Sequence, residues 1–359
     1  MEIIKANPIA TLKQIAEEAG VSIDTVSRVL NGKNKEVWPS TAARAANIRL
    51  IAQRLNYSPN VLARSTRTGK FGCIALLQAA ESNRSILSVS LLQGIQDAVH
   101  AANVNLTLTK LPDDKLINEG AAPKILREWL ADGLLINYQA DIPQRMIELI
   151  DASDFPYIWI NSKHASNCVY PEDFEASRAA TEYLLSLGHT RIAYAEYVYN
   201  HSPGIRPSHY SADERLDGYT MAMQGAGLTP RLLSLKRPLN HEEALQYSRE
   251  CLASPDRPTA VLAYCPHETS ALLYAMAMEK LRVGEDVSVM TFGEELDEIS
   301  GAATTKMEIQ WGEIGRVSTQ MLLDKIAAPE KQIPSRGVKL RLRTGATCRP
   351  PSQSGGGSR

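Results

Sequence analysis

The sequence predicts a small all-α domain at the N-terminus, followed by an α/β domain of two doubly wound lobes with parallel sheets. Apolar residues recur at helical spacing in the first sixty residues, whereas short apolar runs alternate with amphipathic helices from Phe71 onward. These runs are more numerous than one small parallel sheet requires. The chain has 359 residues, 44% of them hydrophobic, which is enough for more than one domain.

Two short helices separated by a tight turn are predicted near the N-terminus. Apolar residues at helical spacing predict the first helix, which Gly20 ends as a C-terminal cap. Ser22 is placed to cap the second helix, which is expected over 23–30. The apolar face of the first helix consists of Leu12, Ile15, Ala16 and Ala19. The second helix is expected to bury Val26 together with Val29 or Leu30, and to point outward Asp24, Thr25, Ser27 and Arg28.

This pattern and the charge distribution both suggest a nucleic-acid partner. In a helix-turn-helix the second helix enters the major groove, where side chains can distinguish base edges; a plain helical hairpin is the alternative. Residues 1–70 carry eleven Lys or Arg and five Asp or Glu, whereas the rest of the chain carries 28 and 35. A basic domain on an acidic body is typical of proteins that bind polyanions, although basic segments also occur as solvated faces.

A longer string makes the interpretation specific. The chain reads ATLKQIAEEAGVSIDTVSRVLNGKNKEV over 10–37, continues with a predicted third helix at about 41–55, and then reads NYSPNVLARSTRTGK. This succession resembles the LacI/GalR (lactose-repressor/galactose-repressor) family. Its members begin TLxDVAxxAGVSxxTVSRVLN and continue to a hinge that reads YxPNxxARSL. The resemblance implies a transcription regulator, expected as a repressor, with a helix-turn-helix domain at 1–59 and a hinge at 60–70. A periplasmic-binding-protein-like domain for effector binding and dimerisation is expected at 71–343, and a flexible tail at 344–359.

The resemblance also implies which residues contact DNA. The two base-reading positions of the family fall on Ile23 and Asp24, and Arg28 is the expected bidentate partner of guanine. Because a carboxylate in the first turn also complements the helix dipole, that role of Asp24 stays open. The full expected DNA-binding set is Ser22, Ile23, Asp24, Thr25, Ser27, Arg28, Asn31, Tyr57, Asn60, Ala63 and Arg64.

Two features depart from the family pattern. The segment between Asn31 and Tyr57 is longer than usual and contains Trp38, which is interpreted as a local packing anchor or as a contact to the sugar-phosphate edge of DNA. In the hinge, Thr66 occupies the position of the leucine that members insert into the minor groove. Leu62 lies one helical turn earlier and is expected either to replace that leucine or to pack between paired hinges.

The body is predicted from its apolar runs, which are typical of buried parallel strands. On the family resemblance the first lobe is expected over 72–161 and the second over 162–308, after which the chain returns to the first lobe. Ligands of such folds bind in the crevice outside the carboxyl ends of the strands. The runs are CIALL (73–77), NLTLT (105–109), GLLIN (133–137), YIWIN (157–161), RIAYA (191–195), AVLAY (260–264) and VSVMTF (287–292).

Polar residues at predicted strand ends are candidates for effector binding. Four segments resemble the sensor domain of the family: SLGHTRIAYA, ERLDGYTMAM, PTAVLAY and GEDVSVMTFGEE. Within them, Arg215 matches an effector-contact region. The Asn-Asp pair that grips sugar hydroxyls in members is replaced here by His267 and Glu268. A carboxylate with an arginine can hold hydroxyls or an anionic ligand, and a surface ion pair is the alternative. The expected effector-binding set is Asn161, Arg215, Glu268 and Glu294.

Other classes of function lack support in the sequence. HExxH, GxSxG, GxxxxGK[ST] and a GxGxxG after the first strand are missing, and the five cysteines form no CxxC pair. We therefore expect no enzyme, no cofactor and no metal. A signal peptide and an apolar run of membrane-spanning length are missing too, so a cytoplasmic protein is expected. The expected partners are double-stranded operator DNA, a sugar-like effector and a second copy in a homodimer; the alternative is a solute-binding receptor without a DNA role.

Overall fold

A computed structural model gives the fold of this chain. It describes residues 10–30, 38–57, 70–80, 84–111, 131–199, 209–235, 237–294 and 303–352. The chain divides into two compact units, one over 1–71 and the other over 72–359. Across the described residues, the helices are too short or too polar to cross a membrane.

The described part of the first unit is built from three helices around one apolar core. Its helices are α1 (Leu12–Ala19), α2 (Ile23–Leu30) and α3 (Pro39–Arg54). Thr11 caps α1, and Gly20 ends it in the left-handed conformation with φ 65°, as the sequence predicted. Helix α3 begins two residues earlier than expected because Pro39 occupies its first turn, where the fixed φ of proline favours a helix start. The core contains Ile15, Ala16, Val26, Val29, Ala45, Ile48, Ile51 and Ala52.

Two expectations about side chains in this unit are wrong. Ser27 does not project outward but is 9% exposed, because α2 packs against both α1 and α3 and so buries a wider face than its valines alone. Trp38 is not a packing anchor. It precedes α3 as the N-cap residue and is 71% exposed.

The first lobe of the second unit contains a six-stranded sheet with the order β13-β5-β4-β3-β1-β2, and all of its neighbouring strands are parallel. The strands are β1 (Cys73–Ala79), β2 (Asn105–Leu111), β3 (Leu134–Asn137), β4 (Tyr157–Ile160), β5 (Cys168–Pro171) and β13 (Arg336–Val338). The helices of this lobe within the described ranges are α4 (Val89–Ala101), α5 (Gln144–Asp151) and α10 (Trp311–Ala327).

The second lobe contains a six-stranded sheet with the order β14-β12-β11-β10-β6-β8, in which only the β12–β14 pair is antiparallel. Its strands are β6 (Ile192–Ala195), β8 (Arg231–Leu233), β10 (Ala260–Ala263), β11 (Ser288–Gly293), β12 (Thr305–Glu308) and β14 (Arg341–Arg343). A small parallel pair is formed by β7 (Val198–Tyr199) and β9 (Pro238–Leu239). The helices are α6 (Asp173–Ser186), α7 (Ser211–Gly225), α8 (His241–Ala253) and α9 (Pro266–Met278).

Each of the seven predicted apolar runs forms a strand, but the expected boundary between the lobes is wrong. Strand β5 extends the first lobe to Pro171, because it pairs in parallel with β4. The chain then returns to the first lobe after β12, near the expected position at 308, since α10 packs on α4. It enters the second lobe once more between β13 and β14. The lobes are therefore joined by three crossings rather than by the two implied by the sequence.

The expected flexible tail is also wrong over its first part. The Oγ1 of Thr347 accepts a hydrogen bond from the Thr305 amide at 2.9 Å and donates one to the Val289 carbonyl at 2.7 Å. Cys348 is buried in the core of the second lobe. The composition of this segment gave no sign that it is ordered, because main-chain and hydroxyl hydrogen bonds fix it in place. Residues 353–359 lie outside the described residues.

Candidate DNA interface and effector site

The exposed start of α2 is the candidate DNA interface. Ile23 is 49% exposed although it is apolar, so the first unit does not bury it. Ser22 accepts a hydrogen bond from the Thr25 amide at 3.2 Å, and the two hydroxyl oxygens of Ser22 and Thr25 lie 2.9 Å apart. These bonds satisfy an amide that a helix start would otherwise leave unpaired, and they fix the first turn that would meet the bases.

Asp24 and Arg28 form an ion pair on the same exposed face. The Nη2 of Arg28 lies 2.5 Å from the Oδ2 of Asp24, four residues earlier in the helix. Both side chains remain largely exposed, at 58% for Arg28 and 72% for Asp24. The two residues that were expected to read separate bases therefore contact each other.

The remaining expected DNA contacts are only partly described. Tyr57 follows α3, and its amide donates to the Ala52 carbonyl at 2.8 Å. Its ring is half-buried against the core of the first unit, and burial raises the pKa of its hydroxyl, which therefore stays protonated near neutral pH. Asn31, Asn60, Ala63 and Arg64, together with Leu62 and Thr66 of the expected hinge, lie outside the described residues.

Arg215 is the centre of the candidate effector site in the second unit. Its Nε donates to the Oδ1 of Asp173 at 2.7 Å, and its Nη1 donates to the Tyr264 carbonyl at 2.6 Å. The guanidinium carbon lies 4.2 Å from the ring centre of Phe292 and 5.0 Å from that of Tyr264. Arg215 and Asp173 are both buried, so the alternative of a surface ion pair does not apply to them.

Asn161 brings the first lobe to this arginine cluster. It follows β4 with φ 53°, a left-handed conformation that asparagine tolerates better than most residues. The Nε2 of His209 donates to its carbonyl oxygen at 2.8 Å, and the hydroxyl of Tyr210 lies 3.4 Å from its Oδ1. Burial lowers the pKa of His209, so the ring is neutral near pH 7. Ser211 then connects to the ring of Tyr264 through a 2.9 Å contact between their hydroxyl oxygens.

A cavity of about 380 Å³ lies at the carboxyl ends of β3 and β4, next to the first residues of α7. This is the crevice position that a doubly wound fold predicts for a ligand. An ion pair between Lys163 and Glu214 connects the two lobes beside it. The cavity is lined by Gln139, Asp141, Ile142, Ser162, Lys163 and Tyr210.

Glu268 does not pair with Arg215. It is buried at the third position of α9, where its Oε2 accepts from the Cys265 amide at 3.0 Å and its Oε1 accepts from the Tyr197 amide at 3.1 Å. Burial raises the pKa of Glu268 to about 7. The structure thus gives Glu268 a helix-capping role. The carboxylate beside Arg215 is that of Asp173, whereas the sequence had suggested Glu268.

Glu294 lies at the end of β11, where the sequence predicted a polar residue at the cleft edge. Its carbonyl oxygen accepts a hydrogen bond from the ammonium group of Lys306, a buried residue of β12. The side chain of Glu294 is half-buried. Of the four expected effector residues, Asn161 and Arg215 therefore belong to one connected cluster, whereas Glu268 lies in the first turn of α9 and Glu294 directly follows β11.

Comparison with known proteins agrees with this geometry. Residues 11–60 match the lacI family of bacterial regulatory proteins, and residues 181–348 match a periplasmic binding protein-like domain. The ribose operon repressor of Escherichia coli is 26% identical over 332 residues, which cover 90% of this chain and 95% of that protein. The repressor PurR of Photobacterium profundum is 25% identical, with 89% of this chain and 92% of that protein covered. The chain therefore carries a lacI-family helix-turn-helix region followed by a periplasmic binding protein-like domain.

Solved structures of the family share the fold of this chain. The lac repressor dimer bound to operator and the anti-inducer ONPF covers 95% of the chain at a TM-score of 0.74 and 21% identity, and the match includes 99% of that chain. The regulator CelR in complex with cellobiose covers 94% at a TM-score of 0.61 and 21% identity, again with 99% of that chain matched. This chain thus combines a lacI-family regulatory region with the fold of the lac repressor.

Sequence reasoning missed several residues of this candidate effector site. Asp173 was not selected because β5 was not recognised as a strand, so the first residue of α6 did not stand out as a strand-end position. The carboxylate Oδ2 of Asp173 is buried without a hydrogen-bond partner among the described residues. The phrase YPED before a predicted helix was a signal that could have revealed it. Tyr210 and Ser211 had no such signal, because their role depends on contacts with distant segments.

Proposed function

We propose that this protein is a transcriptional repressor that binds operator DNA as a homodimer and loses or gains operator affinity when a sugar-like metabolite binds in the cleft. The observation that supports this most directly is one chain with two parts: a helix-turn-helix that exposes Ile23, Asp24 and Arg28, and a two-lobed receptor with a polar cavity between its lobes. The relatives PurR and the ribose operon repressor carry the word repressor in their names.

The DNA contacts belong to this proposal. Ile23 is suited to a thymine methyl group, and Arg28 is suited to the two acceptors of guanine. Ser22, Thr25, Ser27 and Tyr57 are proposed to support phosphate and groove contacts, of which Ser27 requires exposure of a side chain that the first unit buries. For Asn31, Asn60, Ala63 and Arg64 the proposal rests on the family pattern alone.

The chemistry of the cleft supports a ligand that carries hydroxyl groups. Arg215 is already neutralised by Asp173 and covered by Tyr264 and Phe292, so it offers little free charge to an anion. The cavity is lined in part by Gln139 and Ser162, whose amide and hydroxyl groups can form hydrogen bonds with ligand hydroxyls. Asn161 and Tyr210 add further polar atoms. We propose a neutral sugar or a related polyhydroxy compound.

The same reasoning favours a regulator over an enzyme or a transport receptor. Both relatives described above are repressors by name, and the helix-turn-helix has no use in a solute-binding receptor. We propose that the protein acts in the cytoplasm, where operator DNA lies, and that it needs no cofactor. Effector binding is proposed to close the two lobes and thereby to shift operator affinity, and because such coupling is reciprocal, operator must change effector affinity by the same factor.

The test has two stages. Genomic fragments retained by the purified protein are sequenced, and the enriched duplex is then titrated with and without ribose, cellobiose and other neutral sugars chosen by thermal-shift screening. We expect one enriched palindromic sequence and at least one sugar that changes its affinity, with the same factor recovered when sugar binding is measured with and without the duplex. A protein that prefers no duplex over random competitor, with every sugar tried, would contradict the proposal.

A further inference from the structure

The ion pair on α2 indicates how this protein reads a base. Asp24 and Arg28 are one helical turn apart, a spacing that places both side chains on the same face of the helix. That face is the exposed one, since Val26 and Val29 occupy the opposite, buried side. The guanidinium would reach a base edge from the position at which Asp24 holds it.

We propose that Asp24 is a positioning residue for Arg28, and that the two together read one guanine in each operator half-site. The inference rests on the proposed function and adds a division of labour to it: Arg28 contacts the base, whereas Asp24 restrains Arg28 and does not read a base of its own. A second, independent base reader at residue 24 is the competing assignment.

The donor inventory of arginine allows both contacts at once. A guanidinium has five N–H donors in a rigid fork, and Asp24 engages the Nη2 group. Donors therefore remain for the O6 and N7 acceptors that guanine presents in the major groove. Holding a flexible side chain in place before binding removes an ordering cost that corresponds to about 2- to 12-fold in affinity.

The carboxylate also excludes wrong partners. Asp24 lies where α2 would approach a polyanion, so its charge opposes binding that depends on phosphates alone. Arg28 offsets this repulsion, and guanine forms its two hydrogen bonds only with a correctly placed guanidinium. Removing the carboxylate is therefore expected to strengthen binding to random DNA and to weaken discrimination between bases, two effects of opposite sign that mere loss of structure does not produce.

The experiment selects duplexes from a random-core library with the full chain and three variants: Asp24→Asn, Arg28→Lys and the control Glu17→Gln. Glu17 also forms an i,i+4 ion pair with a basic residue of the same unit, Lys13, but on α1. We expect the wild type to require guanine at one position per half-site, and Arg28→Lys to lose at least about 5-fold of that preference because a lysine cannot bind guanine through a planar fork.

Asp24→Asn decides the assignment. We expect it to reduce the same guanine preference by about 2- to 12-fold, to raise affinity for random competitor duplex, and to be partly rescued by Asp24→Glu. Glu17→Gln should leave the preference at every position as in the wild type. An unchanged guanine preference, or a change at a different base pair, overturns the inference while the proposed function stands. If the wild-type protein selects no sequence, the inference and the proposed function are both wrong. Thermal melts of all variants check that the first unit remains folded.

Discussion

Arg215 and Asp173 show how one buried pair organises the effector site. The Arg215 guanidinium donates hydrogen bonds to the carboxylate of Asp173 and to a backbone carbonyl, and it lies over two aromatic rings. An uncompensated charge in this place would be costly, because the surroundings cannot replace the water that the ion has lost. The site therefore depends on Asp173 for its structure.

Asp173→Asn is expected to lower the free energy of unfolding by about 3–5 kcal/mol, since it leaves the Arg215 guanidinium buried without an opposite charge. Urea denaturation at pH 7 measures the change. The control is Asp256→Asn, because Asp256 pairs with Arg231 but is 81% exposed, and such surface pairs contribute about 0–1 kcal/mol. Equal losses for the two variants would contradict the account of a buried pair.

Glu268 carries a second residue-scale prediction, which concerns pH. Its pKa is raised by burial from 4.5 to about 7, so folding favours the protonated form. The stability that it contributes is complete below pH 4.5 and is lost as pH rises through about 7. The free energy of unfolding of the wild type, relative to Glu268→Gln, should therefore fall over this interval by an amount of about 3 kcal/mol at most.

Glu243 provides the matched control for this titration. It holds the same third position in the capping box of α8, but its side chain is 37% exposed, and its hydrogen bonds to the Asn240 amide and to Arg237 lower its pKa. The sign is then reversed, so the contribution of Glu243 is present above its ordinary pKa and is lost as pH falls. The free energy of unfolding of each variant, relative to the wild type, is compared as a function of pH. The same direction of change for Glu268→Gln and Glu243→Gln would show that burial does not raise the pKa of Glu268.

At the scale of elements, glycine allows α4 and α10 to pack closely in the first lobe. A Cβ added to Gly94 would collide with the carbonyl oxygen of Gly312, and one added to Gly315 would approach the Leu91 carbonyl oxygen to 2.5 Å. The two helix backbones therefore touch at points where no other residue fits. This contact is what returns the chain from the second lobe to the first after β12.

Gly94→Ala is expected to destabilise the protein by about 1–3 kcal/mol, because one helix must move away from the other. Thermal or urea unfolding measures the loss. Gly225→Ala is the control, since Gly225 ends α7 with open space around it, and there alanine should stabilise the helix by about 0.4–1 kcal/mol. Should both alanines prove stabilising, the close approach of α4 and α10 would not be a constraint.

At the scale of the whole molecule, the C-terminal segment links distant parts of the second lobe. Thr347 bonds to β11 and to the start of β12, and the Arg349 carbonyl lies 2.8 Å from the Nε2 of His189, just before β6. Residues that follow the last strand thus connect β11, the start of β12 and the segment before β6, although β10 separates β11 from β6 in the sheet. Local sequence gives no sign of this role.

A chain that ends at Thr344 is expected to lose about 3 kcal/mol or more of stability, because it lacks at least three hydrogen bonds of about 1 kcal/mol each and leaves buried partners unsatisfied. A chain that ends at Ser352 keeps all of these contacts and serves as the control. Urea unfolding followed by circular dichroism compares them. If the shorter chain were as stable as the longer one, the segment would be dispensable for the fold.

The outcome of the sequence predictions follows the range of the interactions involved. Helices α1 and α2 were predicted with their cap and turn because apolar spacing, Gly20 and Ser22 act over a few residues. Buried strands such as β3, β10 and β11 were predicted because they are continuous, mostly apolar runs. The strands that were missed have only two to four residues, most of them contain a charged residue or a proline, and their neighbours define them; they are β5, β7, β8, β9, β12, β13 and β14.

The sequence by itself determined the order of domains, the exposed polar face of α2 and the resemblance to the LacI family, because these features are written in local patterns. Only the tertiary structure decided that Asp173 rather than Glu268 pairs with Arg215, that the lobes are crossed three times, and that 345–352 is packed. The physical reason is that a buried charge or an edge strand takes whichever partner the fold brings near, and sequence separation does not reveal that partner.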